Sequence, residues 1–110
     1  MKILFYLFVE SENIGKAINA LSEGGITGFF LYDYKGMSPE EWKGFLIDED
    51  PEKAIKAIQN LAKNAILIGT VIDEKKAIHI EKAIKERLKD CKYTIIQIPV
   101  LKIEVNYVGE

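Results

Sequence analysis

Four apolar runs, the first and third each followed by an amphipathic helical stretch, constrain the fold of this chain more than any other feature. Residues 2 to 9 are rich in aromatic and branched side chains and are bounded by Glu10-Ser11-Glu12-Asn13, which predicts a buried strand. Ile14, Ala17, Ile18 and Leu21 then recur at helical spacing. They predict a helix over residues 12–23, capped by Ser11 and released through the left-handed conformation that Gly24-Gly25 tolerates. The second run, Ile26 to Tyr34, carries Phe29, Phe30, Leu31, Tyr32 and Tyr34 and suits a second strand. Ala65 to Ile72 is almost continuously apolar, with Gly69 inside it, and reads as a third. Asp73 can cap the next helix, whose stripe is Ala77, Ile80, Ile84 and Leu88. Tyr93 to Val100 is the fourth strand, ended by Pro99 because proline donates no ladder hydrogen bond. Beyond it Leu101, Ile103, Val105 and Tyr107 alternate with Lys102, Glu104 and Asn106, which predicts an extra C-terminal strand with one buried face.

Residues 37–63 interrupt this pattern. Ser38-Pro39-Glu40-Glu41 has the form of a capping box with proline at the first helical position, so a short helical turn is expected there, ending near Gly44. Phe45-Leu46-Ile47 suits a short extended piece. Asp50-Pro51-Glu52 is a second helix start, and Ala54, Ile55, Ile58, Leu61 and Ala62 mark one apolar face. An ordered helix over residues 51–63, packed through Ile55, Ile58 and Leu61, is expected.

This order predicts an α+β fold, a ferredoxin-like βαββαβ sandwich with a helical insert after the second strand and an added C-terminal strand. With 110 residues, 48% of them hydrophobic and 29% charged, the chain suits a single domain spanning residues 1–110. Two helices cover only one face of such a sheet. Apolar and aromatic residues lie on both faces of the first two strands, so the bare face is expected to be covered by other copies of the chain. Fifteen basic against 17 acidic residues give a net charge of -2, which offers nucleic acid no general attraction. No apolar run is long enough to span a bilayer, and the apolar start is too short for a leader. A cytoplasmic protein is expected.

Several segments resemble the nitrogen regulatory P-II signalling proteins. Ala20-Leu21, Gly25-Ile26-Thr27-Gly28 and Tyr34-Lys35-Gly36 are similar to that family's first helix and second strand, the last of them at the base of its long exposed loop. Ile98-Pro99-Val100 and the closing Val108-Gly109-Glu110 are similar to its Leu-Pro-Val and Thr-Gly-Glu. The resemblance covers roughly residues 1–36 and 65–110. It implies a homotrimer with a regulatory role in nitrogen signalling that senses a small molecule, such as an anionic metabolite, or docks on a partner protein. The family's modifiable loop tyrosine has no counterpart, since no tyrosine lies between Lys35 and Tyr93. Its glycine-rich nucleotide loop is replaced by Leu88-Lys89-Asp90-Cys91-Lys92-Tyr93, and its two late arginines fall on Val105 and Tyr107. Loss of the standard ATP site is therefore expected, within a divergent relative of the archaeal type. An amino-acid-binding regulatory domain of the ACT type, which shares the layer architecture, is the alternative; it predicts a dimer or a fused domain.

Candidate site residues are few. Lys35 beside the flexible Gly36 suits a ligand cleft at the insert base, where a lysine meets an anionic group; a plain strand end with a turn glycine is the other reading. Lys89 and Lys92 suit an anion or simply the dipole of the preceding helix end. Trp42 either pins the insert to the body or anchors a partner. His79 has no second His or Cys nearby, so no metal site is expected, and neither is a cofactor. Arg87 suits a surface ion pair, and the lone Cys91 follows a helix, where nothing activates a thiol. No acid, base and nucleophile constellation is visible, so no catalytic residue is assigned and a non-enzyme is expected.

Overall fold

The computed structural model describes residues 1–44 and 46–108. Strand β1 (Lys2–Glu10) leads through a tight 3-10 turn (Ser11–Asn13) into helix α1 (Ile14–Glu23). Strand β2 (Phe30–Gly36), helix α2 (Pro51–Leu61), strand β3 (Lys63–Asp73), helix α3 (Glu74–Arg87) and strand β4 (Tyr93–Val100) follow. The strands form one antiparallel sheet in the order β2-β3-β1-β4. This is the ferredoxin-like arrangement, with a helical insert between β2 and β3.

Register sorts the side chains into two faces. Leu31, Ile68, Leu7 and Ile95 stand in one row across the four strands, and Asp33, Ile66, Val9 and Tyr93 in the next. This face lies under α1 and α3. Phe5, Leu7, Ile68, Leu21, Ile80, Ile84 and Leu88 are fully buried there with Ala17 and Ala20. Burial of each large side chain stabilises by roughly 1.5 to 3 kcal/mol, so the predicted stripe of α3 is its inner face. The two helices meet closely at Gly24, where an added Cβ would lie 2.3 Å from Ile80 Cγ1. Arg87 Nε donates to Glu23 Oε2 at 2.6 Å and ties the helices together at the surface.

Caps explain most element ends. Asp73 accepts from Lys75 N at the start of α3, and this backbone hydrogen bond, with the nearby N-terminus, Lys2 and Lys75, holds its carboxyl below the usual carboxylate range. Asp50 accepts from Lys53 N at the start of α2, with Pro51 in the first turn. Gly25, at φ +85°, provides the left-handed exit of α1, and Ile26 N returns to Leu21 O at 3.3 Å. That return occupies residues 26–29, so β2 begins at Phe30 rather than Ile26 and runs on to Gly36. Ser11 makes no capping bond to α1; the 3-10 turn hands the chain into the helix instead.

Other expectations need correction. Ser38-Pro39-Glu40-Glu41 forms a single turn, not a helix. Ser38 N does donate to Glu41 Oε1 at 3.3 Å, as in a capping box, but Glu40 takes φ +70°, which ends helical propagation. The extended piece at 45–47 begins on Phe45, outside the described residues; Leu46 and Ile47 join no strand. Helix α2 forms where expected, ending at Leu61, but no residue of it is buried, and Ile55 and Ile58 are 55% and 50% exposed. Its N-terminal cap and composition make the helix; no apolar surface among the described residues covers it. Strand β3 begins at Lys63, so the insert is two residues shorter at that end than a strand from Ala65 implies. The expected C-terminal strand is absent among the described residues: Leu101, Ile103, Val105 and Tyr107 are 104%, 48%, 58% and 82% exposed. An alternating segment becomes a strand only beside a free edge and an apolar surface, and it meets neither continuously among the described residues. Gly109 and Glu110 of the closing motif lie outside the described residues.

Candidate functional site

The second face of the sheet carries no helix among the described residues. Phe30, Gly69, Tyr6 and Ile96 form one row across it, and Tyr32, Leu67, Phe8 and Thr94 the next. Tyr6 packs edge-on against Phe8 and Phe30, with ring centroids 6.3 and 6.4 Å apart. Phe8 meets Tyr34 at 6.4 Å and Phe30 meets Tyr32 at 5.8 Å in the same manner. Such pairs add about 0.5 to 1.5 kcal/mol each beyond their burial. The result is a continuous aromatic ladder from β1 to the edge of the sheet. Its outer members are nonetheless wet, since Phe30 is 41% and Tyr32 63% exposed.

Gly69 makes this ladder possible. The Phe30 ring lies directly over it, and a Cβ there would fall 2.0 to 2.6 Å from three ring carbons. A glycine inside a buried strand signals such a close approach, and this was the one cue to the aromatic face beyond the apolar pattern itself. Thr70, on the opposite face, donates to Gly28 O and ties the start of β2 to β3.

The two ends of the open face are bordered by the segments that form no regular structure. At one end Tyr34 OH and Ser38 Oγ share a hydrogen bond of 2.8 Å, and Pro39, Glu40 and Glu41 border a cleft of about 320 Å³ with Cys91, Lys92, Tyr93 and Thr94. At the other end Ile103 lies with Phe29, Phe30, Gly69 and Val71 around a smaller hollow.

The predicted site residues are divided among different places. Lys92 stands at the insert base, in the cleft with Glu40 and Glu41. Lys35 lines a separate, polar cleft of about 520 Å³ at the β2 edge, with Ser11, Asp33 and Asn64. Gly36 lies beside the Tyr34 ring at the end of β2. Lys89 is exposed on the turn after α3, and Trp42 is 46% exposed on the segment between β2 and α2. In the segment from Leu88 to Tyr93, Leu88 N and Cys91 N are bonded to Ile84 O and Leu88 O, at 2.8 and 2.9 Å. His79 is exposed beside Glu23, Lys82 and Glu86. No group of three or more His, Cys, Asp or Glu among the described residues is placed to hold a metal. No helix among them is long and apolar enough to cross a membrane.

This four-stranded ferredoxin-like sheet with helices on one face has the fold of P-II-like proteins. A family described as "Uncharacterized protein, homolog of nitrogen regulatory protein PII" matches residues 1–107, and the chain belongs to it. Uncharacterized protein MJ1244 of Methanocaldococcus jannaschii is 74% identical over 106 residues, covering 96% of this chain and 98% of that protein. Among solved structures, a DUF3240 family protein from Shewanella baltica OS155 superposes with a TM-score of 0.68 at 12% identity, covering 96% of this chain and 97% of its own. CPII of Thiomonas intermedia K12, a nitrogen regulatory PII-like protein bound to ADP, AMP and bicarbonate, gives 0.59 at 10% identity over 90% and 93%. At these identities the likeness is one of fold.

Gly69→Ala tests the ladder. The new methyl group drives the Phe30 ring off the face, so the substitution is expected to destabilise by about 1 to 3 kcal/mol in urea unfolding. Unchanged stability would show that the ring has room to spare.

Proposed function

We propose that this protein is a cytoplasmic P-II-like regulator, a homotrimer without catalytic activity that senses a small metabolite or docks on a partner protein through its insert. The observation that carries this reading is the uncovered aromatic face, because rings such as Tyr32 gain their burial only against another subunit. Family membership and the P-II-like fold favour a trimer over the dimer of an ACT-type domain.

The ligand site we assign to the insert base is held chiefly by Lys92, with Lys89 on the neighbouring turn as a further contributor, while Lys35 and Gly36 at the end of β2 offer a second, separate cleft to an anionic group. CPII is bound to ADP, AMP and bicarbonate, so a P-II-like fold accepts both nucleotides and a compact anion. Here a small acid group suits the site better than a triphosphate. No glycine remains between Leu88 and Tyr93 to turn backbone amides outward, and the Cys91 amide is already bonded within the turn. Val105 and Tyr107 replace the arginines that would grip phosphate in two-pronged fashion. Glu40 and Glu41 in the same cleft repel a polyanion and favour a ligand that also carries a cation, as an amino acid does. Trp42, on the insert, is the proposed anchor for a partner protein.

Light scattering on the gel-filtered protein is expected to give three times the mass of one chain; a monomer at micromolar concentration would overturn the assembly. Calorimetric titration with ATP and magnesium checks the ligand reading. Each lost charged hydrogen bond costs about 1.5 to 3 kcal/mol, so losing two takes a micromolar site to millimolar or weaker. A low-micromolar dissociation constant would contradict loss of the site.

A further inference from the structure

The outer face of α3 is a basic stripe on an acidic protein. Lys75, Ile78, Lys82 and Lys85 recur at helical spacing and are all exposed, Ile78 by 72%, with Glu86 beside them. None of the three lysines has an ion pair among the described residues. The buried Ala77, Ile80 and Ile84 fix the rotation of the helix, so the stripe points away from the sheet and from the aromatic face beyond it. The insert carries the complementary pattern. Leu46 is 95% exposed, and Asp48, Glu49, Asp50 and Glu52 follow it. Asp48 and Asp50 are engaged at the start of α2, by Lys53 Nζ at 3.9 Å and Lys53 N at 3.3 Å, while Glu49 and Glu52 make no ion pair.

We propose that the insert segment of residues 46–52 in one copy docks on the outer face of α3 in another, with Leu46 against Ile78 and with Glu49 and Glu52 among Lys75, Lys82 and Lys85. A chain's own insert does not occupy that face. Helix α3 starts beside the N-terminus, where Glu74 N donates to Met1 O, whereas the insert leaves the sheet at its other end, where Gly36 pairs with Lys63. The net charge of -2 sets copies of the chain apart in most orientations, so a contact between them needs a local match of opposite sign. Segment 46–52 and the α3 stripe supply that match, and each adds one exposed aliphatic side chain to it. Exposed ion pairs contribute only about 0.2 to 1 kcal/mol each, so the contact is weak and salt-sensitive and forms near millimolar protein. It joins unlike surfaces, so it does not close on two copies but strings them head to tail. It goes beyond the assembly proposed above: copies that cover the aromatic face leave α3 outside, and whole assemblies are what this contact joins.

Light scattering on the full-length protein, from micromolar to millimolar, tests this. At about 0.01 M ionic strength, where charges act over about 30 Å, the mean mass is expected at least to double across that range. At about 1 M, where they act over about 3 Å, it stays at that of the basic unit. Lys82→Glu with Lys85→Glu, and separately Glu49→Lys with Glu52→Lys, are each expected to abolish the growth. All four changes together keep the wild-type net charge and are expected to restore it. A wild-type mass that does not grow at low salt overturns the proposal, and so does growth that persists in either pair of changes. A protein with all four changes that is folded by circular dichroism, yet does not grow, overturns it as well. A basic unit of one chain contradicts the trimer instead and leaves this contact standing, because the contact is read from the growth in mass.

Discussion

Strand β1 is paired on both edges and apolar on both faces, and the rest of the fold is arranged to deal with that fact. Phe5, Leu7 and Val9 point into the helical layer and are at most 1% exposed. Tyr6 and Phe8 point the other way, onto the face that carries no helix among the described residues. A strand of this kind folds the domain and, by the same alternation, lines a second face that no helix among the described residues covers. The hydrophobic effect is proportional to apolar area removed from water, so a bare face of aromatic rings is a standing drive toward association.

Much of this was legible in the sequence. The strand-helix order, the stripe of α3, the Asp50 and Asp73 caps and the glycine exit of α1 follow from periodicity and local chemistry. They hold because local and tertiary preferences agree there. The disagreements fall where a local signal had no tertiary support. Ser38 to Glu41 carries a capping box, yet Glu40 adopts a left-handed conformation, since one turn without an apolar face to bury gains too little to propagate. The apolar face of α2 and the alternation of residues 101–107 are genuine patterns, yet neither is buried among the described residues. Amphipathicity shows that a surface is to be covered. It does not say by which molecule.

The candidate site was less legible than the fold. Lysines 35 and 92 are both near the insert, but β2 and the turn before β4 belong to opposite edges of the sheet, so the two line different clefts. The approach of Pro39 to Glu41 to Lys92 arises from a connection that crosses strands, and no spacing in the sequence encodes it. Gly69 was visible as an oddity in an apolar run, but its partner Phe30 lies 39 positions away and becomes evident only from the register.

Hydroxyl-radical footprinting of the full-length protein tests the central claim, that copies of the chain cover the aromatic face. Tyr32 is 63% and Phe30 41% exposed in the isolated chain, close to the value for Trp42, 46%, on the insert. After correction for intrinsic reactivity, the account predicts that Phe30 and Tyr32 are labelled several-fold more slowly than these exposures imply, and that labelling rises on dilution into the monomer. Labelling of both residues at the rate expected for the isolated chain, at concentrations where light scattering reports a multimer, would contradict it.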